Sequence, residues 1–157
     1  MTNRSETDRI EKSVELRADV GRVWRALTDH REFGTWFRAA LDGPFVVGRT
    51  VLGRITIPGY EHLRFTAHVT AIEPERYFAF TWHPYPIDPD RDYTQEEPTL
   101  VEFTLSPSGE GTLLRVVESG FDRLPADRRE DAFRMNSNGW AAQLGHIAAH
   151  VGSTPSA

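Results

Sequence analysis

The sequence predicts an α+β protein in which a curved antiparallel sheet of about seven strands wraps on one long C-terminal helix, with two short helices after the first strand. Three observations carry this. Residues 9–17 alternate between apolar and polar as a half-buried strand does. From Gly43 to Ser119 the period is again two, with turn residues between the runs. From Pro125 or Asp127 to about Val151 the period becomes helical, with Phe133, Trp140, Leu144, Ile147 and Val151 on one stripe.

The elements follow in order. In the first strand Ile10, Val14 and Leu16 share a face that Lys12 interrupts. Asp19 caps a helix whose stripe is Val20, Val23, Trp24 and Leu27. Thr28-Asp29 restarts the chain into a second short helix with Phe33, Trp36 and Phe37 on one side, where Gly34 is unfavourable by about 1 kcal/mol relative to Ala. Strands are expected at 45–47, 50–57, 62–73, 76–83, 99–106 and 112–119. Short turns between them imply an antiparallel meander. The segment Pro84–Pro98 holds four prolines and several acids, and reads as a long surface loop. Residues 8–151 are expected to form one domain, with 1–7 and 152–157 as flexible tails.

Composition narrows the function classes. The 157 residues can bury a core without staples. There is no cysteine, so disulfides, thiolate metal sites and cysteine nucleophiles are excluded. The net charge is -5 and basic pairs such as Arg128-Arg129 are interrupted by acids, which argues against a nucleic-acid partner. No apolar run is long enough to span a membrane, and Met1–Arg9 lacks the apolar core of a signal peptide, so the expected location is cytoplasmic.

Metal and hydrolytic motifs read poorly. His146 and His150 have the i, i+4 spacing of a helical ligand pair but lack a partner glutamate, and a solvated helix face is the better reading. His62 and His68 would lie about 20 Å apart along one strand, on an outer, wet face. Asp88, Asp90 and Asp92 imitate the start of a calcium loop, but Tyr93 replaces the required Gly and Thr99 the closing Glu. No metal and no cofactor is expected.

The chain resembles the START-like, helix-grip superfamily of pollen allergens and polyketide cyclases, and most of all the branch named after activators of the heat-shock chaperone ATPase. The resemblance lies in residues 23–29 (Val-Trp-Arg-Ala-Leu-Thr-Asp), Trp36-Phe37, Phe80-Thr81-Trp82, residues 101–105, residues 118–121 and residues 139–144. It implies the helix-grip fold and a cavity between sheet and helix. It also admits a homodimer and a chaperone partner, for the second of which the sequence offers no charged patch.

On residue parity, Phe65, Phe78, Phe80, Trp82 and Phe103 line the concave face, with Phe133 and Trp140 opposite. These rings could fill a core or leave it partly open; the resemblance favours a pocket for a hydrophobic, aromatic small molecule. The expected ligand-binding residues are Trp36, Phe37, Phe65, Phe80, Trp82, Phe103, Glu118, Phe133, Asn136 and Trp140. Polar groups with inward parity are Lys12, Asn136 and Glu118, while His83 points outward unless its strand bends. Lys12 and Glu118 are expected either to meet as an ion pair or to leave Glu118 alone against an apolar pocket with a raised pKa. A cofactor-free cyclase or hydratase using Glu118 is the enzymatic alternative, and a co-chaperone-like interaction module the third reading.

Overall fold

In the computed structural model, residues 8–86, 88 and 90–152 are described; of the expected tails 1–7 and 152–157, all but Gly152 lies outside them. Seven strands form one antiparallel sheet: β1 (Arg9–Leu16), β2 (Ala39–Leu41), β3 (Thr50–Ile55), β4 (Arg64–Glu73), β5 (Tyr77–Trp82), β6 (Thr99–Ser108) and β7 (Gly111–Ser119). Their spatial order is β1-β7-β6-β5-β4-β3-β2. Every step except β1 to β7 joins strands consecutive in sequence, as a meander requires. A register shift between Val69 and Ala71 breaks the β4–β5 ladder. Such irregularities bend and twist a sheet locally.

Two short helices bridge β1 and β2. Helix α1 (Val20–Thr28) starts at Asp19, whose carboxylate accepts from the Arg22 backbone N–H at 2.8 Å. Asp29 caps α2 (His30–Phe37) in the same way, through the Arg31 and Glu32 N–H groups. Gly34 costs helix propensity for a steric reason: a Cβ there would lie 2.4 Å from the Ala39 carbonyl oxygen, so glycine lets α2 close onto β2. Helix α3 (Ala126–Gly152) runs one residue beyond the expected end at Val151 and packs against β1, α1 and α2.

One strand is placed differently from the sequence expectation. Residues 45–47 are not a strand; Ala39–Leu41 pairs with β3 instead. Phe45 has the period of a strand residue but acts as a plug, 5.2 Å from the Phe33 ring and 5.0 Å from that of Phe78. Val46 and Val47 beside it are exposed. The Ala-Ala-Leu triplet is too short to carry a readable alternation.

Trp140, Leu144 and Ile147 bury the sheet-facing stripe of α3. Phe133 departs from it. Its ring packs edge-on against Phe121, 5.4 Å away, in the turn after β7.

Candidate functional site

Between β4, β5, the end of α2, the middle of α3 and the 84–98 segment lies a cleft of about 850 Å³. This is within the roughly 300–1,000 Å³ typical of small-molecule sites. Its inner wall is aromatic. Phe37, Phe65, Trp82 and Trp140 all line it, with ring centroids 5.5–6.1 Å apart between neighbours. Trp82 and Trp140 stack with an interplanar angle of 28°. Tyr60 and Met135, both exposed, flank the opening.

Beneath that wall Glu118 is completely buried. It sits on β7 among the inward residues Thr112, Leu114 and Val116. Four donors converge on its carboxyl group. Oε2 accepts from Trp82 Nε1 at 2.7 Å and Thr99 Oγ1 at 2.6 Å. Oε1 accepts from Asn136 Nδ2 at 2.9 Å and Trp140 Nε1 at 2.8 Å. Burial pushes the Glu118 carboxyl above its usual range, while the four donors act in the opposite direction. The cradle joins β5, β6, β7 and α3 at one point, and it fixes the planes of two indoles that face the cleft.

Lys12 is no part of this arrangement. In the β1–β7 ladder Ile10 stands opposite Glu118, and Lys12 opposite Val116. Of the two outcomes expected for Glu118, the ion pair is therefore not formed, and the carboxyl is buried without a cation among the described residues.

The rim belongs to the 84–98 segment. Pro84, Tyr85, Arg91 and Tyr93 all line the cleft. Arg128 on α3 anchors the segment: Nε donates to Glu96 Oε1 at 2.8 Å, and Nη1 to the Pro84 carbonyl, also at 2.8 Å. Its guanidinium carbon lies 4.6 Å from the centre of the Tyr93 ring, a cation–π distance. Arg91 adds a second bridge, reaching Glu96 at 3.0 Å and Asp127 at 2.8 Å. Of the three aspartates that imitate a calcium loop, Asp88 and Asp92 direct Oδ1 at backbone N–H groups of their own turns, those of Asp90 and Thr94.

Of the expected ligand residues, Phe37, Phe65, Trp82, Asn136 and Trp140 are brought together on the cleft wall. The other five lie elsewhere. Phe80 and Phe103 are sealed in the core, where the aromatic layer is closed over. Trp36 is turned into the α1–α2 contact by its N–H, which donates to the Ala26 carbonyl at 2.8 Å. Phe133 packs on Phe121, and Glu118 lies behind the wall. His83 does reach the cleft, because β5 has ended at Trp82; its Nε2 is 3.1 Å from the Glu96 carbonyl oxygen. His146 and His150 are half-buried rather than solvated: His146 contacts Gln143, and His150 lies 2.9 Å from Glu32 on α2. Sequence reasoning missed Thr99, Gln143, Glu96 and Arg128. The signal for that side of the site is the 84–98 segment itself, longer than a tight hairpin needs.

A curved antiparallel sheet gripping a C-terminal helix, with a cleft at one end of their contact, is the plan of the START-like, helix-grip class. Within that class, residues 17–152 match the family described as Activator of Hsp90 ATPase homolog 1-like protein, and the chain belongs to it. Among solved structures it is similar to DynU16, a putative protein in the dynemicin biosynthetic locus, with 25% identity, a TM-score of 0.72 and coverage of 93% of this chain. The chain spans about half of that protein, 48%. It is also similar to MLL2253 from Mesorhizobium loti, with 24% identity, a TM-score of 0.74 and coverage of 93% and 98% of the two chains. The Aha1 dimer from Colwellia psychrerythraea shares the fold at 16% identity and a TM-score of 0.67, over 91% and 95% of the two chains. No curated protein matches the sequence. No helix of the described residues is long and apolar enough to cross a membrane.

Proposed function

We propose that this protein holds an apolar, aromatic small molecule in the cleft between the sheet, α3 and the 84–98 segment. The observation that carries the reading is the wall of Phe37, Phe65, Trp82 and Trp140 around about 850 Å³ of open space. Aromatic faces supply affinity for a flat apolar ligand, and a few polar groups supply orientation. Glu118 enters as a positioning residue. Its oxygens are occupied by four donors and it has no exposed surface, so it is not presented to a ligand as an acid or base. This favours a carrier or receptor over the cyclase or hydratase alternative.

Gly139 supplies the test. It lines the cleft from α3, and a Cβ built there meets nothing within 4 Å. A side chain at this position projects into open space and improves helix propensity by up to about 1 kcal/mol. Gly139→Leu is therefore expected to fold at least as stably as the parent and to lose retained small molecules. Native mass spectrometry of both proteins, with thermal unfolding as the stability control, checks this. A bound molecule kept unchanged by a folded Gly139→Leu protein, or no binding of any aromatic probe by the parent, would contradict the proposal.

A further inference from the structure

Of the polar side chains that line the cleft, four come from the end of β5 and from α3: Trp82, Asn136, Trp140 and Gln143. Three are fully committed within the protein. Both indole N–H groups end on Glu118, so these rings offer the cleft carbon surface and no donor. Gln143 is used at both ends: Nε2 donates to the Phe37 carbonyl at 2.9 Å, and Oε1 lies 2.8 Å from His146 Nδ1. Asn136 is used at one end only. Nδ2 donates to Glu118 Oε1 at 2.9 Å, and Oδ1 has no partner among the described residues. Oδ1 is not one of the enclosed, unpartnered polar atoms either. It therefore keeps some open surface, on a residue that lines the cleft.

The amide is held in this sense. Glu118 Oε1 already accepts from Trp140, and turning the amide round would set two acceptor oxygens against each other. With Glu118 ionised both its oxygens only accept, and with Glu118 neutral the same sense is kept when the proton lies on Oε2. Two of its other neighbours are indoles, which can only donate; the Thr99 hydroxyl can accept, and it lies on Oε2. A proton on Oε2 finds an acceptor in the Thr99 hydroxyl, and Oε1 then stays an acceptor for Asn136 and Trp140.

We infer that Asn136 is a specificity-determining residue of the cleft, its Oδ1 selecting aromatic ligands that carry a hydrogen-bond donor, O–H or N–H, on the ring edge. This rests on the binding reading above. A ligand with a donor replaces the water on Oδ1. A ligand of the same shape without one covers an acceptor and leaves it unpaired, which is how a polar site rejects an isostere.

The test is isothermal titration calorimetry with 2-naphthol and its methyl ether, 2-methoxynaphthalene, on the parent protein and on Asn136→Leu. The parent is expected to prefer 2-naphthol by about tenfold, the size of one net hydrogen bond. In Asn136→Leu the preference is expected to vanish, with the methyl ether binding at least as well as it does to the parent, since no acceptor is left unpaired beneath it. Should Asn136→Leu not fold, Asn136→Ala carries the same comparison. Equal binding of the two compounds to the parent, or a preference that survives the substitution, overturns the inference while leaving the cleft as a binding site. Failure of both compounds to bind the parent overturns the cleft reading and this inference with it.

Discussion

Glu118 and Glu96 are both buried beside the same cleft, one under its floor and one in its rim, and they are held by opposite means. Glu118 meets two indoles, a hydroxyl and an amide, and no cation among the described residues. The Glu96 side chain, 7% exposed, lies between Arg91 and Arg128. Neutral donors fix directions: four hydrogen bonds, given from two strands and a helix to a carboxyl on a third strand, include the two that lock the planes of Trp82 and Trp140. Opposite charges fix an attachment: Glu96 ties a loop to the first turn of α3, and Tyr93 lies against the Arg128 guanidinium. The floor is a shaped surface, and the rim is a tether that holds the 84–98 segment at the edge of that surface.

The contrast predicts unequal costs. Arg128→Met leaves Glu96 buried with one cation fewer, and removing one partner of a buried pair costs about 3–5 kcal/mol. The expected loss is about 3 kcal/mol, because Arg91 still faces Glu96. Urea unfolding measures it. A loss under about 1 kcal/mol would mean that the rim pair behaves as a surface pair.

Glu118→Gln is expected to cost less, about 1–3 kcal/mol, because a glutamine offers one acceptor oxygen where two were used. Its pH dependence sharpens the comparison. The folded-state pKa of Glu118 is raised above its ordinary value of 4.5, with burial as the largest cause. The folded protein thus keeps this proton more readily than the unfolded chain does. The parent loses stability at this group as pH climbs from about 4.5 through the raised folded value. The Gln variant has no such group, so its deficit should be larger near about pH 5 than near about pH 8. Unfolding curves at the two pH values decide the point; a deficit that grows with pH would show that the donors outweigh burial.

Lys12→Met should have the smallest effect, within about 0.5 kcal/mol, because Lys12 stands opposite Val116 and touches neither acid. A loss of about 3 kcal/mol would restore an ion pair with Glu118.

The two acids also differ in how far the sequence discloses them. Glu118 shares the parity of Leu114 and Val116, so an inward carboxyl follows from the strand period alone. Asn136 stands beside the α3 stripe, and Trp82 and Trp140 sit in periodic elements. Their convergence on one carboxyl is not written there, since it depends on how four elements meet in space. Lys12 has inward parity too, but parity does not supply register, and the β1–β7 pairing sets it two residues from Glu118's partner. Glu96 and Arg128 were invisible for another reason. Glu96 lies in a segment without period, and Arg128 reads as half of a surface basic pair. Phe133 misled because helical spacing names a face and not its neighbour; a turn carrying Phe121 waits under the first turns of α3.

The cleft as a binding site is tested most directly by the four indole N–H signals in a ¹H–¹⁵N spectrum during titration with 2-naphthol. Trp24 and Trp36 lie on α1 and α2, outside the residues that line the cleft, and serve as internal controls. The account predicts saturable shifts of the Trp82 and Trp140 signals, with Trp24 and Trp36 unmoved. Unchanged Trp82 and Trp140 signals, or equal drift of all four, would contradict it.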